Sequence, residues 1–287
     1  MINIVFPVFI IIGVGFSFSK LKKISLSSIN DLVIYITTPC LIISSLSKFP
    51  INLELASTIF LTTCGVVFIC LIVGGLIVKS LDLSYQVHLP PILFANTGNM
   101  GLPLLLFAFG QVGFNIGILY MVSTTFLHYT LGIVLLNWRI KSLEIFKLPL
   151  IYSTIIGIII SIKQYQIPVT LDRSIELLGD ITIPAMIFSL GYKLAELKLS
   201  KVWLSFLIGS LRIFIGFFAG LILANLFNLD GIAKKVVILE ASMPPAVFNF
   251  VLAEKYRQNS QTVASIIMAG TIVSFFVIPL IISYLIN

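Results

Sequence analysis

Charge is scarce in this chain: 10% of its 287 residues are Asp, Glu, Lys or Arg, whereas 59% are hydrophobic, and the mean hydropathy is +1.13. Soluble domains carry about 25% charge, so the composition excludes one and defines an integral membrane protein. Cysteine is sparse too. Cys40, Cys64 and Cys70 sit in apolar runs, odd in number and without metal-ligand spacing, which leaves them as small apolar side chains rather than a disulfide framework or a metal site. No Gly-x-x-x-x-Gly-Lys-Ser/Thr loop and no large hydrophilic segment is present, so nothing here hydrolyses ATP, and no cofactor is expected. His-Glu-x-x-His is missing as well, and Gly15-Phe16-Ser17-Phe18-Ser19 lacks the terminal glycine of a nucleophile turn, which ranks an intramembrane hydrolase below the other function classes. Met1-Ile2-Asn3 lacks the basic segment of a cleavable signal, so the first span is expected to be retained. The net charge of +7 comes from Lys and Arg scattered singly or in small groups between apolar runs; it sets topology and does not point to nucleic acid.

The apolar runs predict an all-α protein, because none shows the alternation of a membrane barrel strand. Ten windows are long enough to span a bilayer, near 3–19, 31–47, 55–79, 87–109, 113–137, 148–163, 174–195, 200–226, 234–255 and 260–286. With the N-terminus outside, the inner loops hold twelve Lys and Arg residues and the outer loops five, with Arg212 alone inside a span, so both termini are predicted outside. The basic Lys20–Lys23 connection then lies on the anionic inner leaflet of the lipid bilayer. Five spans per half require the second half to enter from the opposite side. Echoes fit that: Thr37-Thr38-Pro39 matches Thr182-Ile183-Pro184, and Ala95-Asn96 matches Ala241-Ser242, at nearly equal shifts. The reading is two inverted repeats, 1–137 and 148–287, joined by a cytoplasmic linker at 138–147.

Two spans, the fourth and the ninth, are interrupted by polar, Gly- and Pro-bearing runs, Asn96-Thr97-Gly98-Asn99-Met100-Gly101-Leu102-Pro103 and Ser242-Met243-Pro244-Pro245. Unpaired backbone inside a bilayer costs several kcal/mol, so such a break persists only where protein encloses it or where it lines a cavity. Half-helix ends there offer free amides, predicted at Met100, Gly101, Ala246 and Val247, that together form a neutral receptor for an anion. Gly98 and Gly101 permit tight turns, and Pro244 and Pro245 tolerate a first helical turn. Asn96, Thr97, Asn99 and Ser242 bring hydrogen-bonding side chains. Thr37, Thr38, Thr182 and Asn249 are further cavity-lining candidates, beside Met243. For the threonines, back-bonding to a carbonyl one turn earlier is the alternative.

Four titratable residues are candidates for attracting the anion or for coupling. Arg212 sits deep in the eighth span and either faces the substrate or pairs with Glu240, just before the second break. Glu240 also fits a proton or sodium carrier. His128 fits proton coupling, or a neutral imidazole bonded between helices. Asp180 fits a carrier of the same kind, or a helix cap.

At these residues the chain resembles a known family. Phe94-Ala95-Asn96-Thr97-Gly98-Asn99-Met100-Gly101-Leu102-Pro103-Leu104, with Ala241-Ser242-Met243-Pro244-Pro245-Ala246 and Ala253-Glu254-Lys255-Tyr256, is similar to the auxin efflux carrier family, which includes bacterial carriers of organic acids such as malate or malonate and plant exporters of auxin. The resemblance implies ten helices with crossing broken helices 4 and 9. It implies an elevator motion of transport helices 3–5 and 8–10 against scaffold helices 1, 2, 6 and 7, and a homodimer through that scaffold. The short linker resembles the prokaryotic type and a prokaryotic plasma membrane location. Where the plant exporters use charged residues in the third helix, this chain has Thr62, Thr63 and Cys64, which argues against auxin itself. The function expected is a secondary or potential-driven carrier of a small organic anion, exporting it, with proton or sodium as a coupling ion. The competing class is a membrane sensor that keeps a carrier fold.

Overall fold

The computed structural model describes residues 2–51, 53–136 and 144–286, and among these every regular element is helical. Six helical stretches are long and apolar enough to cross a membrane: 26–47, 53–80, 97–136, 169–196, 202–226 and 260–286. Of the expected linker at 138–147, residues up to 143 lie outside the described residues, and Glu144–Lys147 form one 3₁₀ turn.

The chain opens with α1 (Ile2–Leu21), followed by α2 (Leu26–Leu32), a wide π-type turn at Val33–Thr37 and α3 (Thr38–Ser47). Pro39 explains the wide turn: it has no amide hydrogen and its ring crowds the carbonyl four residues earlier, so the helix must loosen ahead of it. Next comes α4 (Leu53–Ser80), with Glu54 in its first turn and Lys79 in its last, each opposing the helix dipole. The first interrupted segment is α5 (Tyr85–Leu93), an extended stretch, a π-type turn at Thr97–Gly101 and α6 (Leu102–Leu127). Within α6 the chain reverses at Gly110, whose φ of 65° suits glycine alone, and this is where the sequence separates the fourth span from the fifth. A third π-type turn, His128–Gly132, leads to α7 (Ile133–Leu136).

The second half begins with α8 (Pro149–Lys163), α9 (Val169–Asp180) and α10 (Thr182–Glu196), the last two meeting at a bend ahead of Pro184. The expected seventh span starts at 174, but the helix begins at Val169, directly after Pro168. Then follow α11 (Val202–Leu226), the interrupted pair α12 (Gly231–Ala241) and α13 (Phe248–Lys255), and α14 (Ser260–Ile286).

Packing divides the helices into two groups. In one, α1 lies on α10 and α3 on both α8 and α9. Glycines make these approaches close: a methyl group at Gly15 would overlap the Phe188 carbonyl, and one at Gly191 the Ile12 carbonyl. Lys48, just after α3, reaches Asp172 at 3.1 Å and Glu176 at 3.3 Å on α9. Desolvation disfavours its charge, but the hydrogen bonds and charges of these two carboxylates outweigh it and hold its pKa above the usual lysine value. The other group gathers α4, α5, α6, α11, α12 and α14, with α11 pressed against α12 through Gly216 and Gly220 and against Gly270 of α14 through Gly209.

Candidate substrate site at the crossed breaks

The two interrupted segments meet. Leu93 ends α5, Phe94 is extended (φ −106°, ψ 113°), and Ala95 pairs with Pro245 as an isolated antiparallel bridge. The amide of Asn96 donates to the Pro244 carbonyl at 2.8 Å, and the amide of Ala246 donates to the Phe94 carbonyl at 2.9 Å. The sequence dictates this locally. Pro244 and Pro245 have no amide to continue a helical ladder, and Pro244 pushes Met243 out of the helical region; Asn96, Thr97 and Gly98 are poor helix formers. The freed backbone groups then satisfy one another across the crossing, as burial demands.

Two of the amides expected to face a ligand are therefore engaged by protein: Ala246 as above, and Gly101, whose amide donates to the Asn96 carbonyl at 3.1 Å. What remains for a ligand is the opening of the Thr97–Gly101 turn, whose first amides have no partner within a helix, together with side chains.

A cavity of about 430 Å³ lies against the first break and contains Asn96, Thr97, Gly98 and Asn99. Thr38 joins from α3 and His128 from the turn after α6. Asn96 is buried and its amide nitrogen Nδ2 has no hydrogen-bond partner, an orphaned donor at the crossing. Among the described lining residues no Lys or Arg occurs, and the one acid is Asp31, exposed on α2 beside Ser27 and Asn30. Much of the remaining wall is apolar, with Val33, Ile34, Met121, Met186, Val247 and Phe248, and Ser189 adds a hydroxyl from α10.

The other expected site residues stand behind this wall. Ser242 is fully buried and donates to the Ile238 carbonyl at 2.6 Å; Met243, Pro244 and Pro245 shape the crossing backbone, with the Pro245 ring against Gly270. Gly101 faces Glu240. Thr37 is buried, and its hydroxyl makes no back-bond and has no partner; the hydroxyl of Thr182 is left in the same way. Asn249 supports the site from behind: its Nδ2 donates to the Ala246 carbonyl at 3.0 Å and lies 3.3 Å from that of Phe94, while Oδ1 is 3.0 Å from His128 Nε2. His128 stacks on Phe94 with centroids 4.0 Å apart and meets the edge of Phe248 at 5.1 Å. It is a bonded interhelical imidazole that also lines the cavity.

Arg212 and Glu240 do not pair. Nη2 of Arg212 donates to the Ala241 carbonyl at 2.9 Å, closing the end of α12, and Nη1 lies 3.2 Å from Cys70 Sγ. Neither residue lines the cavity, and among the described residues no Arg212 nitrogen comes within 4.0 Å of a Glu240 oxygen. Asp180, the exposed last residue of α9, lines a second cavity of about 610 Å³ with Ser44, Lys48, Gln111, Asn115 and Glu176. Thr124 and Thr125 line the first cavity without having been singled out. Their signal is present: Met121, Thr124, Thr125 and His128 share one helical face.

A helical membrane protein whose two interrupted helices cross beside a polar-walled cavity is a transporter in architecture. The chain belongs to the membrane transport protein family, that of the auxin efflux carriers, whose sequence profile matches residues 1–147 and 138–282. It is 29% identical to an uncharacterized transporter of Methanocaldococcus jannaschii over 97% of this chain and 96% of that one. A second uncharacterized transporter, from Methanothermobacter thermautotrophicus, is 28% identical over 64% of this chain and 63% of its own. Auxin efflux carrier component 8 of Arabidopsis thaliana is 26% identical over 50% of this chain and 40% of its own. The protein is thus a multi-pass membrane transporter and not an enzyme.

Proposed function

We propose that this transporter is a secondary carrier exporting a small organic anion, a carboxylate with an apolar body, bound at the crossing by neutral donors. The observation that carries the reading is the buried, unpartnered Nδ2 of Asn96 on a cavity whose lining mixes amide and hydroxyl side chains with apolar ones. A carboxylate accepts hydrogen bonds from such donors, which are about twice as strong to a charged acceptor as to a neutral one. A single carboxylate suits the absence of Lys and Arg from the described lining better than a dicarboxylate would.

The reading has ten spans in two inverted copies, supported by the order of elements: α4, interrupted segment, α6 recurs as α11, interrupted segment, α14, and Pro39 and Pro184 bend corresponding helices. The group of α1, α3, α8, α9 and α10 serves as scaffold, and the group holding the crossing moves against it. The cavity is lined by Ser27 near the α2 start and by Leu148, next to the Lys22, Lys23 and Lys147 loops, so on the positive-inside bias we read this state as inward-facing, with both termini outside a prokaryotic plasma membrane.

Uptake and counterflow of radiolabelled indole-3-acetate and malonate in proteoliposomes, with protein-free vesicles as blank, test this. Protein-dependent flux favouring the arylacetate is expected, because the apolar side chains of the cavity weigh more here than the missing charges of α4 that argued against auxin; Asn96→Ala and Asn99→Ala are expected to raise the half-saturation concentration about tenfold or more, as loss of a hydrogen bond to a charged group predicts. No carboxylate flux through folded protein in sealed vesicles overturns the carrier reading.

A further inference from the structure

Behind the crossing lies a feature that anion binding leaves unexplained. Glu240, in the last turn of α12, is fully buried, and neither carboxyl oxygen has a hydrogen-bond partner. It is the one buried acid among the residues whose burial is described; the others of these are exposed or half-buried. Its surroundings are shaped to receive it. A methyl group at Gly101 would overlap Oε2, and one at Gly117 would stand 3.4 Å from Oε1, so the carboxyl occupies space that the first break and α6 leave vacant as glycine. Glu240 therefore links the turn after the first break to the helix end before the second.

The groups that face it from the neighbouring elements supply no counter-charge in contact. From α11 comes Arg212, held by the Ala241 carbonyl and Cys70; from α4 comes Cys70 itself; from α6 comes Tyr120; the Thr97–Gly101 turn brings no titratable side chain. The titratable residue of α14, Tyr284, is exposed, and Lys234 and Lys235 sit toward the other end of α12. A metal ion has little to bind, since among the described residues no group of three or more His, Cys, Asp or Glu is assembled. A bare carboxylate without ion pair or hydrogen bond is the costliest occupant of such a place, and the neutral acid the cheapest.

We propose that Glu240 is a proton-binding site of the carrier, holding its carboxyl as the neutral acid in this state and exchanging that proton with water as the crossing moves. The proposal rests on the carrier reading for its role in transport, but the occupancy of the site is independent of any substrate. A proton on Oε1 or Oε2 comes from water on the side to which the site opens and returns to water on the other, so each cycle that moves the anion carries one proton.

Infrared spectroscopy of the purified protein at neutral pH reads the site directly. The expected result is a carboxylic-acid C=O band, absent in Glu240→Gln; should that variant not fold, Glu240→Asp is expected to shift the band. A wild-type spectrum without an acid band, or a band that Glu240→Gln leaves in place, overturns the proposal. Flux gives the second readout, using indole-3-acetate under an imposed pH gradient with the membrane potential clamped by valinomycin and protein-free vesicles subtracted. Wild-type flux is expected to change several-fold with the gradient, and Glu240→Gln to lose that response. Flux that answers to a sodium gradient or to potential alone overturns the proton, while no flux under any gradient defeats the carrier reading and leaves the infrared result to decide the site.

Discussion

Asn249 shows how one side chain can hold a site it does not line. Its amide reaches carbonyls of both interrupted segments, Phe94 and Ala246, and its Oδ1 fixes the His128 ring that stacks on Phe94. Both carbonyls keep a backbone donor, so Asn249→Ala chiefly strands His128; the expected loss is about 1–3 kcal/mol of stability, seen as a lower thermal midpoint in detergent. Residue type foretold some of this and not the rest. Asn96 and Asn99 announce themselves as polar groups in an apolar span, and both reach the cavity. Ser242 announces itself equally and ends up bonded to its own helix, because a hydroxyl four residues beyond a carbonyl finds it before any ligand does. Arg212 is legible as a buried charge, but its partners, a carbonyl at Ala241 and the sulfur of Cys70, carry no complementary charge that a search for ion pairs would find.

At the level of elements, proline and glycine carry the legible part. Pro39, Pro184, Pro244 and Pro245 mark bends and breaks where the backbone has to loosen, and Gly110 marks the reversal inside α6. The π-type turn at His128–Gly132 has no proline to announce it, and nothing in its sequence accounts for it. Helix contact is legible only in part. Gly216 and Gly220 read as a small-residue pair four apart, but that they face α12 is a fact of packing. A methyl group at Gly216 would overlap the Ala241 carbonyl and lie 3.0 Å from Arg212 Nη1. Backbone cannot yield as a flexible side chain can, so Gly216→Ala is expected to push α11 from α12, displace Arg212 from its carbonyl, and cost about 1–3 kcal/mol in thermal or denaturant unfolding.

For the whole molecule, hydropathy made the membrane class and the helical fold plain, since 59% hydrophobic residues in long uninterrupted runs admit few alternatives. The cavity was not legible, because its wall is gathered from α2, α3, α6 and α10 and both breaks, which only packing brings together. Motion of those groups has a direct test. Gly98, in the first break, lies against Met186 of α10, where a methyl group on Gly98 would stand 3.1 Å from Met186 Cε. In a background lacking Cys40, Cys64 and Cys70, the double variant Gly98→Cys, Met186→Cys treated with a short thiol cross-linker is expected to lose flux that returns on reduction if the linker is cleavable. Undiminished flux in fully cross-linked protein would mean that the groups do not move past each other there.

The bridge between Ala95 and Pro245 also bears on how the chain is made. While the ribosome is still delivering the second half, the amide of Asn96 and the carbonyl of Phe94 have no protein partner, since both partners lie beyond residue 243. The nascent first half must keep that stretch wet, shielded by the insertion machinery or held short of full depth, until its counterpart arrives. Neither stretch completes the crossing alone, so a chain truncated before residue 244 is expected to be degraded, as its steady-state level against the full chain would show.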